Sequence, residues 1–281
     1  MPSRPGGRSR ARVHVVEDGV ARLRSDSLAT EEPLEIRIQV GSKTFPLAVT
    51  MRTPGADFDL VAGFLFAEKV VSQYSDIKGL SYCIDNDVDP EQRFNIVNAA
   101  LREGLTVDLR RLERHFFTTS ACGVCGKASL DQLEITGHGP LPPGPRVTPA
   151  LLQSLPDRLR EGQALFEETG GLHAAGLFNT EGELLALRED VGRHNALDKL
   201  IGWAMLNGHL PLSDKIIMVS GRSSFEIMQK CLTAGAPIVC AVSAPSSLAV
   251  DVAKRFGMTL VGFLRGQRFN LYCGEERINL E

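Results

Sequence analysis

Leu34-Glu35-Ile36-Arg37-Ile38-Gln39-Val40 alternates apolar and polar positions without a break. After Gly41-Ser42-Lys43 the chain continues through Thr44-Phe45-Pro46-Leu47-Ala48-Val49. Period 2 with a glycine-bearing turn between the halves predicts a β-hairpin. Pro54-Gly55-Ala56-Asp57 then opens a different rhythm, in which Phe58, Leu60, Val61, Phe64 and Leu65 form a helical stripe behind an acidic first turn. Strand-like stretches near 77–84 and 94–101 follow. Residues 28–117 therefore read as a small N-terminal α+β domain.

Between 118 and 146 the periodicity disappears, apart from a short element around Leu130–Ile135. The segment holds Cys122-Gly123-Val124-Cys125 and ends in the proline-rich run at 140–145. Long structureless connections are uncommon and often functional. From Thr148-Pro149 a regular order sets in: a helix to about Glu168, strands at 173–178 and 184–187, and a helix at 193–205. A strand at 215–219, a helix at 224–234, a strand at 238–242, a helix at 245–256 and strands at 259–264 and 268–272 complete it. Strand–helix repetition with short Gly/Pro turns predicts a largely parallel sheet covered by helices on both faces over 147–281.

Composition adds little and excludes some classes. The 281 residues are 43% hydrophobic and 23% charged, as in an ordinary globular chain, and a formal charge of −3 gives no global case for nucleic-acid binding. Residues 1–27 begin Met1-Pro2-Ser3-Arg4-Pro5-Gly6-Gly7 and are basic, with no apolar core of a signal peptide, so they read as a flexible basic tail. No run approaches the roughly 20 apolar residues of a membrane helix, which makes a cytoplasmic protein the expectation.

Of six cysteines, Cys83, Cys231, Cys240 and Cys273 stand alone in apolar segments, where a thiol packs as a small hydrophobe. Cys122 and Cys125 form a pair that can exchange electrons, grip a metal or pass sulfur. Gly123 and Gly126 leave room beside the sulfurs, and Arg114, His115 and Lys127 supply positive charge that favours the nucleophilic thiolate. A structural zinc site needs two more ligands, for which His115 and His138 are candidates. A thioredoxin-like pair, and two inert buried thiols, are the other readings of the motif.

Three strand-to-helix junctions carry further chemistry. Arg193-His194-Asn195, Gly221-Arg222-Ser223 and Ser243–Ser247 all open helices, and such junctions share one edge of a parallel sheet, where ligands bind. Helix N-termini and arginine forks suit a phosphorylated ligand. Ser223 and Glu226 fit a capping box. Past the last parallel strand, Gly262-Phe263-Leu264-Arg265-Gly266-Gln267-Arg268 offers an aromatic ring and two further arginines, or a plain turn between strands. No Walker or Rossmann glycine pattern is present.

SACGVCGK at 120–127, REDVGRHNALDK at 188–199, SGRSSFEIMQK at 220–230 and SAPSSLAVDVAKRFGMTLVGFLRGQRFNLY at 243–272 together resemble the FdhD family, the formate dehydrogenase accessory sulfurtransferases. The resemblance implies a persulfide carried on Cys122 with Cys125 assisting, a cysteine desulfurase as sulfur donor and formate dehydrogenase as client. It implies transfer to the molybdenum bis(molybdopterin guanine dinucleotide) cofactor, bound by Gly262–Arg268. The Arg193/His194/Asn195 and Gly221/Arg222/Ser223 junctions are expected to cradle the guanine-nucleotide phosphates. It further implies a homodimer and a three-layer α/β/α C-terminal domain similar to cytidine deaminase. The helix starts that hold zinc in a deaminase lack those ligands here, so no catalytic metal is expected. A zinc-dependent deaminase-type hydrolase and a passive cofactor-binding chaperone are the competing functions.

Overall fold

The computed structural model describes residues 6–85, 88–105, 130–131, 133–134 and 137–280. β1 (Arg8–Glu17) and β2 (Val20–Ala29) pair antiparallel from Arg8↔Ala29 to Glu17↔Val20 as a separate two-stranded sheet. From residue 8 onward this corrects the expected flexible tail over 1–27. The cause is local: Asp18 and Gly19 sit at φ 50° and 79°, the two-residue turn whose twist matches paired strands. The hairpin is rooted where the Thr30 N–H donates to the Gly7 carbonyl at 3.0 Å and Arg8 pairs with Glu168.

β3 (Glu32–Val40) and β4 (Lys43–Arg52) form the expected hairpin, followed by α1 (Asp57–Ala67), β5 (Ile77–Tyr82) and β6 (Ile96–Leu101). The sheet order is β4-β3-β6-β5, with only β3 and β6 parallel. The inward residues Leu34, Ile36 and Ile38 are fully buried against Leu60, Val61 and Leu65 of α1 and Val97 and Ala99 of β6. The period-2 and period-3.6 stripes of the sequence meet in this core.

The C-terminal half begins with α2 (Pro149–Glu161) and α3 (Ala164–Thr169), where one helix was expected. The break at Gly162-Gln163 is held by Glu189, whose carboxylate accepts from the Leu165 and Phe166 N–H groups at 3.1 and 2.8 Å. Then come β7 (His173–Phe178), β8 (Leu184–Asp190), α4 (Arg193–Leu206), β9 (Ile216–Val219) and α5 (Phe225–Thr233). β10 (Ile238–Ala241), α6 (Ser247–Arg255), β11 (Thr259–Arg265) and β12 (Arg268–Cys273) finish the chain.

The strand order is β12-β11-β10-β9-β7-β8. β9, β10 and β11 pair in parallel and β8 shares their direction, but β7 opposes both its neighbours and β12 opposes β11, so the sheet is mixed rather than largely parallel. The turns at 179–182 and 266–267 are too short for a parallel crossover. Ile217, Val219, Val239 and Ala241 pack under α4, α5 and α6, while Ile216, Met218, Ile238 and Cys240 pack under Leu152, Leu155 and Leu159 of α2. Helices thus cover both faces, giving three α/β/α layers.

α1 joins the two halves by crossing α4. Gly63 and Gly202 face each other there: a Cβ on Gly63 overlaps the Asp198 carbonyl, and one on Gly202 overlaps the Asp59 carbonyl. Nearby, His138 lies 3.4 Å from the Thr233 hydroxyl, and burial with the charge of Lys69 lowers its pKa to about 4. Between pH 6.5 and 4 the unfolded chain binds a proton that native His138 refuses, so stability falls as pH falls through that window. His138→Gln is expected to flatten this slope, read from urea midpoints at pH 7 and pH 5. An unchanged slope contradicts it.

Candidate functional site

Because β7 is antiparallel to β9, its first residue lies beside the C-terminal ends of β8 and β9: His173 pairs with Asp190, and the Ser220 N–H donates to the Ala174 carbonyl at 2.9 Å. The ends of β10 and β11 continue along the same sheet edge. A cavity of about 360 Å³ opens there, lined by Glu31, Thr50, Met51, His173 and the segment Val191–Asn195.

Most polar side chains of 188–199 build the frame of this cavity. Arg188 pairs with Asp59 at 2.8 Å. Asp190, fully buried, meets the Lys199 ammonium at 2.7 Å and accepts from the Thr53 and Gly192 N–H groups at 3.1 and 2.9 Å. Lys199 also donates to the Thr53 carbonyl at 2.8 Å. Asn195 donates to the Met51 carbonyl at 2.7 Å and accepts from the Thr50 hydroxyl, so it fastens β4 to α4 rather than reaching for a ligand. Asp198 pairs with Lys230 of α5 at 2.7 Å. Arg193 and His194 are left to face the cavity.

The Arg193 Nε is buried without a hydrogen-bond partner among the described residues. No side chain caps α4, whose N-cap is Gly192, so its first-turn amides add to the positive potential of the cavity wall. His194 Nε2 lies 3.3 Å from the Ser224 hydroxyl and 3.0 Å from Glu226, and this contact holds the Glu226 carboxyl below its ordinary range. His173 is pushed below the ordinary histidine value by burial, then by the charges of Arg193 and His194. It is therefore neutral at neutral pH, able to donate or accept a hydrogen bond without adding charge.

The second junction is only partly at this place. A Cβ on Gly221 would lie 3.4 Å from His173 and 3.7 Å from Arg193, so glycine keeps that approach open. Arg222 is exposed and outside the cavity lining. Ser223 is fully buried with its hydroxyl unpartnered among the described residues, and it is Ser224 that caps α5, accepting from Ile227 N–H at 3.4 Å. The capping-box reading of Ser223 and Glu226 is thus corrected by one position, with Glu226 taken up by His194.

Gly262–Arg268 ends three strands away, about 14 Å along the edge at ordinary strand spacing, and does not line the cavity. Leu264 is fully buried and unavailable to a ligand, and Gly266-Gln267 is the β11–β12 turn. Phe263 is 39% exposed at φ 51°, a strained conformation for a bulky residue, beside Arg265, which donates to the Val242 carbonyl at 3.1 Å. A Cβ on Gly262 would lie 3.0 Å from both Pro245 and Tyr272, so only glycine lets these side chains come this close. Arg268 is exposed.

Cys122, Cys125 and His115 lie outside the described residues. Burial raises the thiol pKa of Cys83, Cys231 and Cys273 and pushes Cys240 up to about 12. None of these four is an available thiolate at neutral pH. Sequence reasoning missed His173, Glu31, Thr50 and Met51, which come from three distant segments; a histidine opening a strand after Gly170-Gly171 was the one local signal. Among the described residues, no helix is long and apolar enough to cross a membrane.

Residues 29–279 match the model of the FdhD/NarQ family. The chain is 52% identical over 273 residues, covering 96% of this chain and 95% of the relative, to the sulfur carrier protein FdhD of Streptomyces coelicolor. It is 44% identical over 270 residues to the protein of that name from Sulfurisphaera tokodaii, covering 96% and 98% of the two chains. Its fold is similar to a crystal structure described as a formate dehydrogenase accessory protein from Desulfotalea psychrophila, with TM-score 0.73, 25% identity and coverage of 96% and 99%.

Proposed function

The chain belongs to the FdhD/NarQ family, and on that premise we propose that it carries sulfur from a cysteine desulfurase to the molybdenum bis(molybdopterin guanine dinucleotide) cofactor before that cofactor enters formate dehydrogenase. In this reading the Cys122 thiolate attacks the terminal sulfur of the donor's persulfide. A new S–S bond forms, the donor's cysteine thiolate leaves, and the terminal sulfur keeps its oxidation level. Cys125 relays or resolves the persulfide. The four cysteines with raised or buried thiols cannot take this part at neutral pH.

The observation that carries the ligand half is the Arg193 Nε, without a partner among the described residues, on the wall of a cavity at a helix N-terminus that no described side chain caps. Such a wall suits the phosphates of a guanine nucleotide. His173 and His194 supply further hydrogen bonds, and Gly221 lets a ligand approach. Phe263, Arg265 and Arg268 form a second place on the edge, suited to a stacked heteroaromatic ring and a phosphate. The order β8-β7-β9-β10-β11, with β7 the reversed strand, supports a cytidine-deaminase-like reading of this half.

Incubation with a desulfurase and cysteine, followed by intact mass and peptide mapping, is expected to find one added sulfur atom on Cys122, absent in Cys122→Ala. Calorimetry with GDP is expected to show binding weakened about tenfold or more by Arg193→Ala, the range for loss of one charge-assisted contact. An adduct mapped elsewhere sinks the carrier role. GDP binding indifferent to Arg193 sinks the cavity assignment.

A further inference from the structure

His173 opens β7 on the lining of the Arg193 cavity, with its ring half-buried. The Nδ1–Cε1 edge of the ring lies against Gly221, where a Cβ would stand 3.4 and 3.6 Å away. Neither ring nitrogen has a hydrogen-bond partner among the described residues. The nearest hydroxyl on its own strand pair, Ser220 Oγ, is already used in accepting from the Ala174 N–H at 2.9 Å. The ring therefore offers both nitrogens to whatever enters.

The charges around it are unequal. From α4, Arg193 and His194 line the same cavity, and the first-turn amides add positive potential. The neighbouring carboxylates are mostly spent elsewhere. Asp190 of β8 is taken by Lys199 and by the Thr53 and Gly192 N–H groups, and Glu189 by the Leu165 and Phe166 N–H groups. Glu226 of α5 meets His194. Glu31 is exposed on the lining, and Arg222 is exposed outside it. Burial, then Arg193 and His194, hold the His173 ring below the ordinary histidine value against the opposing pull of Asp190. An arriving phosphate reverses this balance, since an opposite charge within about 4 to 6 Å favours the charged form of a ring.

We propose that His173 takes up one proton from solvent when a nucleotide phosphate enters the cavity, so that this residue couples binding to pH. The inference rests on the reading of the cavity as a nucleotide-phosphate site. The proton moves from water or buffer onto the ring, and no bond to phosphorus changes. Once protonated, both ring nitrogens are donors, and one makes a charge-assisted bond to a phosphate oxygen. The bound ring thus holds its proton to higher pH than the free ring. Between those two values the complex carries one proton more than the separated chain and ligand, so affinity rises as pH falls through that window. Gly221 contributes by keeping a side chain away from the ring edge.

Calorimetry of the full chain with GDP tests this at pH 6.0 and pH 7.5, each in two buffers of different ionisation heat. His173→Gln is the variant, since no hydrogen bond of the ring is lost with it. Over this range the affinity of the native chain is expected to rise about tenfold more than that of the variant, close to the limit set by one linked proton. The terminal phosphate of GDP titrates near pH 6 itself, but equally for both chains, so their difference isolates the ring. Heats in the paired buffers are expected to show proton uptake in the native chain that His173→Gln lacks. On the unmodified protein, the NMR signal of the His173 ring is expected to titrate at higher pH with GDP than without. Parallel pH profiles for the two chains, uptake that persists in His173→Gln, or a ring signal indifferent to GDP each overturn the proton coupling while the nucleotide site stands. A chain that binds no GDP at either pH overturns both.

Discussion

Gly202→Ala is expected to destabilise the chain by about 3 kcal/mol or more, the upper part of the range for overpacking a tight contact. The added methyl meets the Asp59 carbonyl and lies 2.6 Å from the Gly63 nitrogen. Both obstacles are backbone in regular helices, so neither can rotate away. Helix propensity alone favours alanine here by up to about 1 kcal/mol, so a loss of stability reports the crossing and not the local helix. Gly63→Ala is expected to act alike, against the Asp198 carbonyl and the Gly202 nitrogen at 2.8 Å. Gly139→Ala, where a Cβ meets nothing within 4 Å, is the control with little change. Urea midpoints decide the matter: equal midpoints for Gly202→Ala and Gly139→Ala contradict a backbone-to-backbone crossing.

That crossing shows what the sequence could and could not say. Leu34, Ile36 and Ile38 announce a strand because their period is intrinsic to the strand, and Phe58–Leu65 announce a helix for the same reason. Gly63 sits unremarked inside the helix pattern, since the need for glycine is set by Gly202, which lies 139 positions away in the chain. Asp18-Gly19 fits a two-residue hairpin turn, but the basic, Pro- and Gly-rich start of the chain made residues 1–27 read as a flexible tail. The motif 188–199 was visible as polar residues ahead of a helix; its division of labour was not. Only the fold shows that Asp190, Asn195, Asp198 and Lys199 are engaged with Thr53, Met51 and Lys230, leaving Arg193 and His194 to the cavity. The mixed sheet escaped for a related reason, since strand direction follows from connection length and the reversed β7 pairs with β9 across an intervening strand and helix.

Lys199→Met is expected to cost about 3 to 5 kcal/mol, the range for removing one partner of a buried ion pair. Lys199 and Asp190 are 2% and 0% exposed, and the ammonium bridges the Asp190 carboxylate and the Thr53 carbonyl. Without it the carboxylate keeps two backbone N–H donors but loses its counter-charge in a site water does not reach. Asp190→Asn/Lys199→Met removes both charges and is expected to recover part of the loss, because a neutral amide leaves no buried charge unpaired. The same pair holds Thr53 against Gly192, and through them the N-terminus of α4, so the single variant is also expected to weaken the proposed GDP binding. Arg193→Ala separates the two effects: it is expected to weaken the proposed GDP binding at nearly native stability, since its Nε has no hydrogen-bond partner among the described residues. If Lys199→Met unfolds at the native urea midpoint, the clamp does not carry the helix start, and the cavity must be held by Asn195 and Thr50 alone.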